Sequence, residues 1–160
     1  AIDTIFSKHG VEKIKTIGDA YLAVTGLPVP DARHALRALE AAIEILDFIK
    51  KEKEKRAAQG RMAFDVRIGI HSGPMVSCSV GSAQRLEYAV VGDSVNVAAR
   101  LQALQIPAED VPAPDACRIL VSEQTQQRLG RATASREAGP PPISWERYLE
   151  IMLAGLRAPA

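Results

Sequence analysis

The sequence is poor in aromatic residues and carries no excess charge of either sign. Aromatic side chains make up 4% of its 160 residues, and 20 Lys and Arg residues oppose 19 Asp and Glu residues, which gives a net charge of +1. Because a nearly neutral chain creates no strong field, a general nucleic-acid or membrane surface is not indicated. The sequence also lacks an apolar run approaching about 18 residues, so no bilayer-spanning helix is predicted.

Cysteine is scarce as well, with only Cys78 and Cys117 in the chain. These two positions match neither the spacing of a metal site nor the pattern of a disulfide framework. We interpret both as ordinary thiols of a reducing compartment, and we therefore expect a cytoplasmic domain.

What is present is the composition of one globular domain. Hydrophobic residues account for 47% of the chain and charged residues for 24%, which is ordinary for a soluble protein that buries a core. The sequence opens at Ala1 rather than Met, within a helical pattern, and this predicts a piece of a longer protein.

Apolar spacing and turn residues predict the order helix, strand, strand, helix, strand, strand, helix, strand, helix. The first helix is expected to end at Gly10, and Gly18-Asp19 supplies the turn of a hairpin. An extended arm runs from Met75 to Tyr88 and leads into a short strand at 87–91. This order favours an α+β fold of the ferredoxin-like, split βαβ type, with helices on one side of a sheet.

Three helix starts can be predicted from capping residues. Asp31 is expected to cap the long second helix, Asp93 or Ser94 the helix at 93–105, and Ser122 the last helix.

Polar residues on two of these elements are candidates for a binding site. On local grounds Asp19 is most simply a turn residue. Asn96 and Arg100 are four residues apart, so they share one face of the predicted helix, away from Val97 and Leu101. An amide and a guanidinium near a helix start can hold ribose and phosphate oxygens, although a single Arg on a helix is more often a surface residue.

Four segments together resemble a known family. "GVEKIKTIGDAYLAVTGLP", "VRIGIHSGPMV", "GSAQRLEYAVVGDSVNVAARL" and "ILVSEQT" resemble, in order and spacing, the class III adenylate/guanylate cyclase catalytic domain. The resemblance covers residues 1–138 and implies an incomplete cyclase domain, truncated at its N-terminus. Agreement of several separate motifs makes it far more specific than a single short match.

The resemblance implies both a reaction and residue roles. Family members form a cyclic nucleotide and pyrophosphate by attack of the ribose 3′-hydroxyl on the α-phosphate, with two Mg²⁺ or Mn²⁺ ions. Asp19 matches a metal ligand, Asn96 a residue that orients the ribose, and Arg100 one that stabilises charge on the α-phosphate. Lys15 matches the base-selecting position, where an ammonium can donate a hydrogen bond to adenine N1, so the expected substrate is ATP.

The resemblance also implies a homodimer with two shared sites. Asp19 would then serve one site, while Lys15, Asn96 and Arg100 complete the other. The arm at 75–88 is the segment expected to reach across the dimer.

Three departures from the family pattern are visible. The family's other metal-binding aspartate would lie upstream of this chain, because Asp3 falls on the following helix. Ala89 stands where a second base-contacting residue, Asp or Thr, is usual. The family's triphosphate-binding lysine is missing, since no lysine follows Lys55. Residues 139–160 instead form a divergent, Pro-rich and then amphipathic tail.

Two functions from different classes therefore follow from the sequence. The first is the catalytic domain of an adenylate cyclase in intracellular signal transduction, attached to regulatory domains, with this piece alone giving little turnover. The alternative is a degenerate, non-catalytic cyclase homology domain that dimerises and binds nucleotide. An aspartate in a strand upstream of Ala1 would distinguish them.

Overall fold

The computed structural model describes residues 1–82, 85–106 and 117–134, the last four by their backbone alone. Four helices and six strands lie within these ranges. In chain order they are α1 Ile2–His9, β1 Glu12–Ile17, β2 Ala20–Val24, α2 His34–Ala58, β3 Arg67–Ile70, β4 Val76–Ser82, β5 Arg85–Val91, α3 Asp93–Ala103, β6 Arg118–Val121 and α4 Glu123–Ala134. The expected α+β class is confirmed. The tail predicted at 139–160 lies outside the described residues.

The strands of the described ranges associate in pairs. β1 and β2 are antiparallel, β4 and β5 are antiparallel, and β3 and β6 are parallel. The prediction placed the strands in one sheet, whereas the described strands form three two-stranded ladders. β4 is a strand that the sequence reading treated only as an extended arm. Val76, Cys78 and Val80 alternate with serines along β4, so the period-two signal of a strand was present in the sequence, although no residue of β4 is fully buried.

The hydrophobic core is built around α2. Nine residues of this helix are buried, and it contacts α1, α4, β3 and β6. Ile49 of α2 and Leu129 of α4 are each only 1% exposed. A helix of 25 residues carries enough apolar positions at helical spacing to cover all four neighbours.

Glycine permits close packing of α3 on β3. A Cβ atom at Gly69 would lie 2.2 Å from the carbonyl oxygen of Ala98 and 2.5 Å from the backbone nitrogen of Gln102. Any side chain there would push α3 away from the strand, so Gly69 fixes the height of α3 above the ladder.

Two predicted helix ends are confirmed. Gly10 follows α1 in the left-handed conformation, with φ of 64°, and its N–H bonds back to the carbonyls of α1. Ser122 precedes α4, and its Oγ accepts a hydrogen bond from the backbone N–H of Thr125 at 3.2 Å.

The other two predicted caps are wrong. α2 begins at His34, and Asp31 instead accepts a hydrogen bond from the backbone N–H of Arg33 in the turn before it. α3 begins at Asp93 after Gly92 and has no side-chain cap. Ser94 is 5% exposed and donates to the carbonyl of Pro74 at 2.7 Å, so a contact distant in sequence takes the hydroxyl that would have capped the helix.

None of the helices in the described ranges combines the length and the apolar character of a membrane-crossing segment.

Candidate nucleotide-binding site

The β1–β2 hairpin carries two of the predicted site residues. Its strands join through the two-residue turn Gly18-Asp19, with Ile17 opposite Ala20, as the sequence predicts. Gly18 has φ of 61°, a conformation that glycine adopts without strain. Asp19 therefore lies at the exposed tip of the hairpin.

A β-bulge interrupts the hairpin at Ile14. Lys13 is opposite Ala23 and Lys15 is opposite Leu22, so two steps on β1 match one step on β2. Residues directly opposite each other share a face, and successive residues of β2 alternate. Lys13 and Lys15 consequently lie on opposite faces of the hairpin, although a regular strand would place them on the same face.

The Lys13 face is attached to α1. Lys13 Nζ lies 3.1 Å from Asp3 Oδ1 and 4.9 Å from the ring centroid of Tyr21. The rings of Tyr21 and Phe6 meet edge to face, with centroids 6.3 Å apart. Ala23, on the same face, packs against the core. This side of the hairpin is thus occupied by contacts within the chain.

α3 presents the other two predicted polar residues. Its inner side lies on Gly69, and Asn96 and Arg100 are exposed. The hydrogen bond from Ser94 to Pro74 ties the first turn of α3 to the loop after β3. The face formed by Asn96 and Arg100 is therefore held rigidly and is open to solvent.

Ala89 lies on β5, half-buried, directly opposite Cys78 on β4. β5 also contacts β1, the strand that carries Lys15. The structure thus brings the two strands that carry the predicted base-contacting positions together, and the side chain of Ala89 is a methyl group with no hydrogen-bonding atom.

The four predicted polar residues share one property. Lys15, Asp19, Asn96 and Arg100 are all exposed, and none forms a hydrogen bond or ion pair with another part of the described chain. Two positive side chains, one carboxylate and one amide are therefore free to bind a ligand.

A polar network that was not predicted from the sequence lies at the carboxyl ends of β3 and β6. Thr125 Oγ1 lies 3.0 Å from Ser122 Oγ and donates to Ser72 Oγ at 3.2 Å, while His71 Nδ1 lies 2.8 Å from Ser122 Oγ. A cavity of about 440 Å³ opens beside it, between the loop after β3 and helices α3 and α4. The sequence signal that could have indicated this network is that His71 directly follows β3 and Ser122 directly follows β6.

Both cysteines of the described structure are free thiols. Burial raises the pKa of the Cys117 thiol, which contacts Asp65 Oδ1 at 3.4 Å. The hydrogen bond from Lys53 lowers the pKa of Asp65, so Asp65 is held as a carboxylate by a partner within the chain.

Comparison with known proteins decides the family. The model of the adenylate and guanylate cyclase catalytic domain matches residues 1–139 of this chain. The chain belongs to this cyclase family. The resemblance of the four sequence segments is thereby confirmed.

Relatives of this cyclase domain include enzymes named for either nucleotide. The germination-specific adenylate cyclase of Dictyostelium discoideum is 38% identical over 112 residues, which are 68% of this chain and 12% of that protein. Guanylate cyclase 2D of Rattus norvegicus is 36% identical over 128 residues, which are 79% of this chain and 10% of that protein. The chain thus spans about a tenth of the length of these relatives.

A solved structure shows the same fold. The guanylate cyclase domain of RhGC from Catenaria anguillulae, in complex with GTP, is 35% identical and superimposes with a TM-score of 0.65. The match covers 80% of this chain and 63% of that domain. The fold expected of a cyclase catalytic domain is therefore confirmed.

The described residues fit a metal ion only in part. Asp19 offers an exposed carboxylate of the kind that Mg²⁺ and Mn²⁺ prefer. Within the described ranges, however, no three His, Cys, Asp or Glu side chains lie together in a way that could hold a metal ion. Asp19 fits as one ligand, and the remaining positions would be filled by water, by nucleotide phosphates, or by protein groups outside these ranges or in a second copy.

Proposed function

We propose that this cyclase domain belongs to an adenylate cyclase that converts ATP into cyclic AMP and pyrophosphate. The observation that carries the proposal is the set of four exposed polar side chains, Lys15, Asp19, Asn96 and Arg100, that have no partner in the described chain. Exposed charges without intramolecular partners contribute little to the stability of the fold, so these side chains are available to a ligand. Their match to the positions of functional residues in the cyclase family is what favours a role in binding.

The preference for ATP rests on Lys15, because relatives of both nucleotide classes match this chain. An ammonium group has three donors and no acceptor. It can donate to adenine N1, whereas guanine carries a hydrogen on N1 and requires an acceptor there. Lys15 is therefore suited to adenine.

The α3 residues supply the remaining contacts to the nucleotide. The Asn96 amide both donates and accepts, which suits ribose oxygens, and the Arg100 guanidinium binds phosphate oxygens through several donors. Because Asn96 and Arg100 lie one helical turn apart on a fixed helix, they would orient the ribose and the α-phosphate for in-line attack.

Asp19 would hold a divalent cation, Mg²⁺ or Mn²⁺, at the hairpin tip. When bound, such ions neutralise the triphosphate charge and lower the pKa of the ribose 3′-hydroxyl. We expect two ions in the complete site.

Two copies of the domain would share each site. The β4–β5 ribbon exposes large apolar side chains, with Val76 66%, Val80 51% and Leu86 68% exposed. An isolated two-stranded ribbon is marginally stable in water, so a second copy that covers it would stabilise it. In such a homodimer, Asp19 of one copy faces the nucleotide held by Lys15, Asn96 and Arg100 of the other.

We further propose that the domain is cytoplasmic and that regulatory domains in its parent protein control it. The free thiols Cys78 and Cys117 agree with a reducing compartment. The chain's small share of its relatives' length agrees with additional domains.

A second candidate function is a non-catalytic domain that dimerises and binds nucleotide. Two observations favour it, namely the methyl group of Ala89 at the expected base contact and the solitary carboxylate of Asp19. This domain would bind nucleotide without turning it over.

Subunit complementation tests the proposal in the full-length protein. Asp19→Asn and Arg100→Ala remove parts of different sites, so each variant alone should be inactive. Random exchange makes about half of the dimers mixed, each with one of its two sites intact, and so restores about a quarter of wild-type activity. Activity is measured as cyclic AMP formed, with exchange verified by differently tagged subunits.

Each outcome has a distinct meaning. Recovery on mixing supports shared sites and catalysis. No recovery between variants that exchange subunits contradicts the shared site. A wild-type protein that binds ATP but forms no cyclic AMP supports the non-catalytic alternative.

A further inference from the structure

Two lysines two residues apart behave differently in the hairpin. Lys13 is engaged by Asp3 and by the Tyr21 ring, whereas Lys15 has no partner in the described chain. In a regular strand, side chains at this spacing point to the same side. The bulge at Ile14 is the feature that separates them.

We propose that the bulge at Ile14 and the α1 contacts of Lys13 together determine which face of the hairpin presents Lys15 to the nucleotide. This assigns positioning roles to Asp3, Lys13 and Tyr21, which do not touch the nucleotide. The inference rests on the proposed nucleotide function and specifies how base selection is built into the chain.

The face of the hairpin that carries Lys13 is fixed against α1 and the core. Ala23, opposite Lys13, packs against the core, and Tyr21 on the same face meets Phe6 of α1. Asp3 adds an ion pair to Lys13 at 3.1 Å. This face cannot rotate without breaking an apolar, an aromatic and an ionic contact together.

The face of the hairpin that carries Lys15 lies away from α1. Leu22 lies opposite Lys15, and Val24, next on that face, is buried outside the main core cluster. β1 also contacts β5, the strand that carries Ala89. A lysine on this face is kept away from Asp3, and in the described structure Lys15 forms no ion pair with Glu12, which lies opposite Val24 on the same face.

The register decides where Lys15 lies. If Ile14 were paired in a regular ladder and Ala23 kept its place in the core, Lys15 would join Lys13 on the α1 side, where Asp3 already attracts an ammonium group. β-bulges are known to redirect side chains beside functional sites. One extra residue thus separates a structural lysine from a base-selecting lysine.

Two hairpin variants form a matched test. Insertion of one alanine between Leu22 and Ala23 gives Ile14 a partner and restores a regular ladder. With Ala23 anchored in the core, this turns Lys15 towards α1. Deletion of Ile14 also gives a regular ladder, but it keeps Lys13 opposite Ala23 and Lys15 opposite Leu22, so the two lysines stay on opposite faces.

Binding of 3′-deoxy-ATP and 3′-deoxy-GTP, which cannot cyclise, is measured by calorimetry in the full-length protein with Mn²⁺. In the insertion variant, we expect the preference for the adenine analogue over the guanine analogue, expressed as a ratio of dissociation constants, to fall roughly tenfold. The reason is the loss of one hydrogen bond from a charged group. Lys15→Ala should lower this ratio to the same level. The deletion variant should keep the wild-type preference. In nuclear Overhauser spectra, Lys15 should contact Leu22 in all three proteins and should approach the α1 side only in the insertion variant.

The outcomes separate the two ideas. An unchanged adenine preference in a folded insertion variant overturns the positioning role and leaves the nucleotide function intact. Loss of the preference in a deletion variant whose Lys15 still contacts Leu22 overturns it as well. A wild-type protein that binds neither analogue overturns the nucleotide function itself.

Discussion

Polar side chains are used in opposite ways in two regions of this domain. At the start of α4, Ser72, Ser122 and Thr125 are buried, and each hydroxyl bonds to another group of the chain. At the hairpin tip and on α3, Asp19 and Arg100 are exposed and have no partner in the described structure. Buried polar groups must be satisfied internally and so specify the fold, whereas exposed groups without partners remain free for a ligand.

The difference implies that stability and activity are separable in this chain. Substitutions at the start of α4 should act on the free energy of unfolding, and substitutions at the exposed face should act on turnover. A substitution that moved both quantities equally would break the distinction.

The largest expected effect is on activity, from Asp19→Asn. If Asp19 holds the metal ion as proposed, this substitution removes a ligand of a site that contributes several kcal/mol to the transition state, so kcat should fall by more than about 100-fold. The free energy of unfolding should stay within about 0.5 kcal/mol, because Asp19 is exposed and makes no contact that stabilises the fold. Initial rates at saturating Mn²⁺ measure kcat, and urea unfolding measures the free energy of unfolding. Activity within a few-fold of wild type would show that Asp19 is only a turn residue.

The next effect is on stability, from Thr125→Val. Valine keeps the shape but removes the hydroxyl that bonds Ser72 Oγ, in a site where Thr125 is 0% exposed. Ser122 keeps His71 Nδ1 and the backbone N–H of residue 125 as partners, so Ser72 is the group left unsatisfied. A group left unsatisfied in the interior costs about 1–3 kcal/mol, and urea unfolding should show a loss of this size.

Thr16→Val on the hairpin is the matched control, because Thr16 is exposed. It should change the free energy of unfolding by less than about 0.5 kcal/mol. Equal losses in the two variants would contradict the contrast between the two regions.

Local signals were enough to predict much of the fold. Gly10, the Gly18-Asp19 turn and Ser122 act through their own neighbours in sequence, so their structural roles follow from residue type and position. The start of α3 could not be predicted in this way, because the hydroxyl of Ser94 bonds to the carbonyl of Pro74, twenty residues away in sequence. A capping rule cannot include a competitor that only the tertiary structure brings near.

The candidate site shows the same division. Family resemblance gave roles to Lys15, Asp19, Asn96 and Arg100, and those roles stay predictions. The bulge at Ile14 could not be predicted, because the register depends on which residue of β2 pairs with Lys13. Strand β4 was predicted only as an extended arm, although Val76, Cys78 and Val80 alternate with serines along it.

The smallest expected effect is on the free energy of unfolding and comes from Glu44 on α2, which is neither fully buried nor fully exposed. Its carboxylate lies 2.7 Å from both Lys8 Nζ and His9 Nε2, which join α1 to α2. The hydrogen bond from Lys8, followed by that from His9, lowers the pKa of Glu44 below its ordinary value of 4.5. Because the folded pKa is depressed, the stabilisation is fully present above the unfolded pKa and is lost as the pH falls through the folded pKa.

Glu44→Gln should therefore be less stable than the wild type at neutral pH, by about 0.5 kcal/mol or less since the pair is solvent-screened. The difference should shrink as the pH falls below the unfolded pKa, and it should disappear once the pH lies below the depressed folded pKa of Glu44. Glu54→Gln, an exposed substitution on the same helix, should show no such dependence. Urea unfolding of the three proteins between pH 3 and 7 measures the effect. A Glu44→Gln deficit that persisted undiminished at pH 3 would mean that the contact stabilises the α1–α2 junction through packing of the side chain and not through its charge.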